Sequence, residues 1–384
     1  MVTVMMQENR PVITERRRHT RNKMYRYIYE ADSPVSKQRL ASEMGFSLPT
    51  VHQNIAELLE AGLIQPGGIQ KSTGGRPAVG YTINNTIRYS VGAAVTSTMI
   101  RLFLADVRQN EIDYRKVPLR SAEGADIGAQ INEELTKCLA DNSVKAEEVL
   151  GVGITFPGVI DKNKNEILLS PTLKMREISL SDVADPIPFP VFIENDSTSA
   201  GTAEWLGLDA KEKKEDFVYL YLENGIGGAV FIHGKPYLGI NGRSAEFGHM
   251  CLDPDGPVCN CGKRGCLEAY CSSLRISKTL GIDSDTFIRE MEAGNEEYRK
   301  IWEDILYHLS IAIANLRMAF DCNIILGGSM SQLLRPYLDR LSEMTEARSP
   351  FKGDAGYIRM SRYPTKAGMM GVAWHFTEEF IRSI

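Results

Sequence analysis

The chain has 384 residues, of which 43% are hydrophobic and 24% charged, and its formal net charge is −5. That balance is ordinary for a globular protein and leaves room for two or three domains. No apolar run approaches the roughly 20 residues of a membrane-spanning helix, and the basic N-terminus has no apolar stretch of the secretory kind, so a cytoplasmic location is expected.

The charge is uneven. Residues 1–80 hold 11 Lys+Arg against 7 Asp+Glu, and the remainder holds 33 against 42. A basic head on an acidic body places any polyanionic partner at the head. Five of the seven cysteines fall between His249 and Cys271. In a reducing compartment such a cluster points to metal or redox chemistry, not to a structural disulfide.

Met24, Tyr27 and Ile28 recur at helical spacing, and Asp32-Ser33-Pro34 stops that helix. In the stretch VSKQRLASEMGFSLPTVHQNIAELLEAGLI, Ser36 can cap a helix with Leu40 and Met44 on one face, and Gly45 ends it. Ser47 caps a second helix with Pro49 in its first turn and a buried stripe of Val51, Ile55, Leu58 and Leu59. Two helices joined by a turn containing Gly form the helix-turn-helix pattern. Next, PGGIQKSTGGRPAVGYTI reads as two strands around a Gly-rich loop, a hairpin wing. Ser47, Thr50, Gln53 and Asn54 would face base edges and phosphates, with Lys71 and Arg76 of the wing and Arg21 and Lys37 as phosphate-seeking cations. A small helical protein-interaction domain is the competing reading, which the wing and the basic arm disfavour.

After Asn84-Asn85-Thr86 the pattern becomes α/β. Strands are expected at 89–94, 99–106, near 112–119, in VLGVGITF, in VFIEND, and on both sides of LENGIGG; helices are expected at 126–142, after VFIEND, at 298–320, near 331–345 and at 367–383. Strands alternating with helices imply helix-covered sheets, and no fixed-period repeat is visible in the sequence.

Asn195 and Asp196 end a strand, where α/β sheets bind ligands. The pair can grip adjacent hydroxyls, and Asp196 could accept an alcohol proton; equally, both could simply cap the next helix. His249, Cys259, Cys261 and Cys266 lie within 18 residues and can close a tetrahedral Cys₃His zinc site, with Gly262 and Gly265 permitting the turns. A redox CxC pair is the competitor. Cys251 and Cys271 read as buried apolar residues. Glu246 and Glu268 flank the ligands, so a structural metal could aim carboxylates at a polyhydroxylated ligand.

On STGGRP, IENDS, the E-x-x-H of EFGH, and CxCGxxGCxE, the chain resembles the ROK family (repressors, open reading frames, kinases) over roughly residues 15–384, and within it the sugar-responsive repressors. The resemblance implies a winged helix-turn-helix head (15–85) on a two-lobed actin-like, ribonuclease H-like or hexokinase-like, body: lobe 1 at 86–196 plus 367–384, lobe 2 at 197–366 with the zinc. It further implies that Asn195, Asp196, Glu246, His249 and Glu268 contact a monosaccharide, that zinc is structural, and that a homodimer or homotetramer binds operator DNA away from any membrane. ROK kinases also resemble the chain. Their first phosphate turn carries an Asp where this chain has Ala94 and a Gly-Gly pair where it has Thr96-Ser97, and their second carries small residues where it has Glu223 and Asn224. The expectation is therefore a repressor of carbohydrate genes without kinase activity. A sugar kinase fused to a DNA-binding head is the runner-up, and a repressor governed by a protein partner is a third reading. The loop Ser170–Glu177 would shape the pocket.

Overall fold

The computed structural model describes residues 15–70, 78–209, 211–351 and 356–384. The head begins with α1 (Glu15–Glu30), followed by β1 (Val35–Ser36), α2 (Lys37–Met44), α3 (Leu48–Glu60), β2 (Ile64–Gln70) and β3 (Ala78–Ile83). Local chemistry sets these boundaries. The Ser36 hydroxyl accepts from the Arg39 N–H, Gly45 closes α2 in the left-handed region at φ 69°, and the Ser47 hydroxyl accepts from the Thr50 N–H. β2 and β3 pair as an antiparallel hairpin and β1 adds to β3, so the expected wing is present. Its tip, with Lys71 and Arg76, lies outside the described residues.

Lobe 1 contains β4 (Tyr89–Val95), β5 (Met99–Asp106), β6 (Glu111–Pro118), α4 (Gly124–Asp141), β7 (Val149–Phe156), β8 (Val159–Asp161), β9 (Glu166–Ser170), β10 (Met175–Ser179), α5 (Leu180–Ala184) and β11 (Val191–Asn195), and the chain then leaves it in α6 (Asp196–Gly207). Lobe 2 contains β12 (Phe217–Leu222), β13 (Ile226–Ile232), β14 (Lys235–Pro236), α7 (Leu267–Cys271), α8 (Ser273–Leu280), α9 (Ser284–Glu292), α10 (Glu296–Phe320), β15 (Asn323–Gly327), α11 (Ser329–Leu334), α12 (Leu338–Glu346) and β16 (Ile358–Met360), and the chain then leaves it in α13 (Ala367–Ser383). The helix expected near 331–345 is interrupted at Arg335–Tyr337, where Pro336 cannot donate its backbone N–H.

Both lobes repeat one topology. The lobe 1 sheet runs β11-β7-β4-β5-β6 and the lobe 2 sheet runs β14-β13-β12-β15-β16. Each starts with an antiparallel meander (β4-β5-β6, β12-β13-β14) and adds two parallel strands beside the first. The closing helices cross over: α6 leaves lobe 1 and packs on β12 and β13, while α13 leaves lobe 2 and packs on β4 and β7. α6 and α13 pack against each other between the lobes.

That crossing depends on a residue with no side chain. A Cβ on Gly371 of α13 would lie 1.9 Å from the Ser199 carbonyl oxygen of α6. Backbone atoms cannot step aside as a flexible side chain can. Gly371→Val is expected to destabilise by about 3 kcal/mol or more, seen as a lowered urea midpoint. An unchanged midpoint would show that the helices separate freely.

The far end of α13 enters the head. Ile381 and Ile384 share one apolar cluster with Met24, Tyr25, Ile28, Val51 and Ile55. Arg26 pairs with Glu378 at 2.9 Å, and the Tyr29 hydroxyl donates to the Val107 carbonyl at 3.1 Å. Head and lobe 1 therefore have a common core.

Candidate functional site

On the head, α3 presents Gln53 at its exposed face, beside exposed His52. Ser47 and Thr50 stand at its N-terminal end with hydroxyls 2.8 Å apart. Lys37 reaches His52 Nδ1 at 3.2 Å and lies over the Tyr81 ring, which orients its ammonium beside α3. Two expectations change. Asn54 is buried, with its amide donating to the Thr50 carbonyl at 2.8 Å, because it lies on the same helical face as Val51 and Ile55. Arg21 faces the body: its guanidinium donates to the Ile384 carbonyl at 2.8 and 3.0 Å and lies 3.6 Å from Glu57. The helix spacing around Arg21 carries no signal of a partner 363 positions away.

In the body, Asn195 and Asp196 join β11 to α6 at the C-terminal rim of the lobe 1 sheet. Asn195 is a helix cap, its Oδ1 accepting from the Thr198 N–H at 3.0 Å while its Nδ2 donates to the Gly158 carbonyl at 2.9 Å. The amide thus fixes the Pro157-Gly158 turn, on which the β9–β10 hairpin of Ser170–Glu177 rests through Ser170 Oγ donating to Pro157. Asp196 accepts from the Ser197 N–H at 2.8 Å. Its remaining oxygen has no protein donor among the described residues. Desolvation raises the Asp196 carboxyl to about 7, against the Ser197 hydrogen bond and helped by the charges of Glu223 and Glu246. A carboxyl poised in this way is a strong acceptor for a ligand hydroxyl.

Glu246 also titrates high, chiefly from desolvation, with His249 opposing and Glu268 adding to the rise. Glu268 Oε2 accepts from the Ile226 N–H at 3.0 Å, so its carboxylate holds the β12–β13 turn, while Oε1 faces Asn260 Nδ2 at 3.5 Å and Cys259 Sγ at 3.8 Å.

The His249, Cys259, Cys261 and Cys266 ligand atoms all lie within 4.8 Å of one another, an arrangement able to hold a metal ion. His249 Nδ1 to Cys259 Sγ is 3.8 Å and Cys261 Sγ to Cys266 Sγ is 3.7 Å, far beyond the roughly 2.05 Å of a disulfide. The intervening chain closes by backbone bonds: Leu252 N–H to the Gly265 carbonyl, Gly265 N–H to Pro257, and Cys259 N–H to Lys263, at 2.7, 2.9 and 2.8 Å. Gly265 is required, since it has φ 69° and a Cβ there would lie 1.5 Å from the Asp253 carbonyl oxygen. Cys271 is buried as expected, but Cys251 is exposed, because its strand-like bridge to Cys266 has no layer over its outer side.

Residues 91–379 match the ROK family profile, and residues 17–65 match the winged helix-turn-helix DNA-binding profile. The chain belongs to the ROK family. It is 31% identical to the xylose repressor of Bacillus spizizenii over 358 residues, 91% of this chain and 93% of that protein. It is 27% identical to a glucokinase of Halalkalibacterium halodurans over 75% of this chain and 94% of that enzyme. A solved ROK family transcriptional regulator, a homologue of the E. coli MLC protein, superposes with TM-score 0.75 at 21% identity, covering 96% of this chain and 97% of that one. The ROK fold therefore carries both regulators and sugar kinases, and the site residues must separate them.

The β4–β5 and β12–β13 hairpins occupy equivalent places in the duplicated lobes. Ala94 lies one residue before the end of β4, and Glu223 and Asn224 lie in the β12–β13 turn. Glu223 accepts from the Ser329 N–H and hydroxyl at 2.8 and 2.9 Å, so its carboxylate covers the start of α11. Asn224 Oδ1 accepts from the Ser273 hydroxyl at 3.0 Å. Neither contact is visible in the sequence, because Ser329 is 106 positions from Glu223.

Proposed function

We propose that the chain is a DNA-binding, sugar-responsive transcriptional repressor that does not phosphorylate its ligand. The observation that carries this reading is the filled second phosphate hairpin: Glu223 holds the start of α11, where an incoming phosphate would need bare backbone N–H groups. With Ala94 in place of a metal-holding carboxylate, Asp196 retains a hydroxyl to grip but no phosphoryl donor to act with. The names of the repressor relatives support a monosaccharide or sugar derivative as the effector.

We take residues 15–85 as the head, 86–196 with 367–384 as lobe 1, and 197–366 as lobe 2. Thr50, Ser47, Gln53 and Lys37 then face operator DNA, joined by Lys71 and Arg76 of the wing. Asn195, Asp196, Glu246, His249 and Glu268 line the sugar cleft, with Asn195 acting through the turn it holds. The metal is zinc in a structural role: a tetrahedron with Zn–S bonds near 2.3 Å has edges of about 3.8 Å, and the Cys261–Cys266 and His249–Cys259 separations of 3.7 and 3.8 Å support that fit. Zinc would neutralise the thiolates and fix His249 with its other nitrogen toward the cleft. The protein acts in the cytoplasm as a homodimer or homotetramer whose heads read paired half-sites.

Signal transfer follows from α13. Its 17 residues span about 25 Å, from Gly368 beside the Asp196 carbonyl to Ile384 in the head core. Sugar that draws lobe 2 toward α6 moves α13, lobe 1 and the head together, so ligand and operator compete for two arrangements.

The test is a gel shift against the gene's own upstream region with a panel of sugars. Binding without sugar and release by one sugar are expected. If no sugar altered DNA binding, the effector half would be lost. ATP-dependent phosphorylation that disappears in Asp196→Asn would establish the kinase reading instead.

A further inference from the structure

Lobe 1 carries a cation, Arg101, that has no ion-pair partner among the described residues. Arg101 on β5 is half-buried and pairs in register with Ala94 on β4, which pairs in turn with Thr155 on β7. Residues paired across neighbouring strands project from the same face. Arg101 therefore stands in one row with Thr155 at the rim of the cleft. A Cβ on Gly368, at the start of α13, would lie 3.5 Å from Thr155 and 3.6 Å from the Asp196 carbonyl, so this row borders the Asp196 site.

The Arg101 Nε is buried without a hydrogen-bond partner, and among the described residues no ion pair engages its guanidinium. Other half-buried arginines, such as Arg26, Arg115 and Arg275, each hold a carboxylate. The charge of Arg101 reaches Tyr114 on β6 and, across the cleft, Tyr221 on β12, where it opposes the rise that burial imposes on both hydroxyls. Lys366 lies 4.3 Å over the Tyr114 ring on the same side, with Glu111 as its own partner. Burying a guanidinium without a counter-charge is costly, so this arrangement suits a ligand that brings one.

We propose that the cleft takes a monosaccharide bearing an anionic substituent, a phosphate or a carboxylate, and that Arg101 pairs with it. The proposal rests on reading the cleft as a sugar site. Asp196 has the charges of Glu223 and Glu246 around it, which disfavours an anion on that side, whereas the β4–β5 hairpin offers the Arg101 cation. Ala94 has a second consequence here. The change that removes a metal-holding carboxylate also removes the group that would repel a phosphate arriving without metal. The planar fork of arginine matches either oxyanion.

The test uses the full chain with glucose and glucose 6-phosphate, N-acetylglucosamine and its 6-phosphate, glucuronate, and inorganic phosphate alone, read by thermal shift and titration calorimetry. At least one anionic sugar is expected to bind tenfold or more tighter than its neutral partner, and the phosphate and glucuronate arms identify the charged group. Arg101→Leu should erase the difference and Arg101→Lys should keep part of it. If neutral and charged partners bind alike in the wild type, the proposal fails while the sugar-responsive reading stands. If the preference persists in Arg101→Leu, the assignment to Arg101 fails. If no sugar of either kind binds, the sugar reading itself falls and takes the proposal with it. Wild-type affinities decide the matter even where Arg101→Leu does not fold.

Discussion

Removing one metal ligand is expected to unfold the loop from Cys251 to Gly265, ahead of α7, whose Leu267, Tyr270 and Cys271 are anchored in the lobe 2 core. Cys266→Ser should abolish metal retention, lower the melting temperature and remove the sugar response together. Apart from a few backbone bonds the loop has little else to hold it: Cys251, Asp253–Asp255, Pro257, Val258 and Asn260–Arg264 are all exposed. A loop with so little buried surface needs a staple, and structural zinc contributes on the order of 10 kcal/mol or more to small domains that depend on it. Thiol counting offers a second readout. Only Cys251 and Cys261 are exposed among the seven cysteines. With metal bound, Cys261 is protected and one thiol should react rapidly; after chelation, Cys259, Cys261 and Cys266 should join it. Identical thiol reactivity with and without chelator would remove the metal from the scheme.

Asp196→Asn should separate stability from function. The folded carboxyl titrates near 7, against a reference of 3.8. Between those values the folded state binds a proton that the unfolded state has lost, so stability falls as pH rises through the window and is level above it. The full excursion is on the order of 4 kcal/mol. The amide carries no charge to desolvate and keeps an oxygen for the Ser197 N–H. In the sugar-free protein, Asp196→Asn is therefore expected to melt several degrees higher than wild type at pH 8 and to match it at pH 4. Sugar affinity should fall 10- to 100-fold, as a charged acceptor is lost from a ligand hydroxyl. A stability difference independent of pH would mean that Asp196 does not titrate in this range.

The head was readable because its signals are local: Ser36, Gly45, Ser47 and Pro49 each act within a few residues of their own position. The Cys/His cluster able to hold a metal is legible for the same reason, its four residues being gathered within 18 positions. What stayed hidden depends on distant chain. Asn54 is expected at DNA by its helix face and Arg21 by its charge, but the α3 core claims Asn54 and the Ile384 carbonyl claims Arg21. Cys251 looked like a core residue because free cysteines usually are, while its exposure follows from a loop without a covering layer. The duplicated lobes gave no repeat in the sequence, because β14 and β15 are joined through the metal loop and α7–α10 whereas β6 and β7 are joined mainly through α4. Glu268 stands out in the sequence as a carboxylate two residues past Cys266, yet its bond to the Ile226 N–H depends on the β12–β13 turn, which brings the two together over 42 positions.

The shared core of α1 and α13 bears on how such a protein can be taken apart. Cutting the chain near Thr86 would release no self-sufficient head: Met24, Tyr25 and Ile28 would lose Ile381 and Ile384, and the last turns of α13 would be left with an uncovered apolar side. A head transplanted from one repressor onto another body would need the matching final helix to travel with it. Two ends of one polypeptide therefore form a single inheritable unit, and changes of operator preference in this lineage should carry compensating changes in residues 374–384.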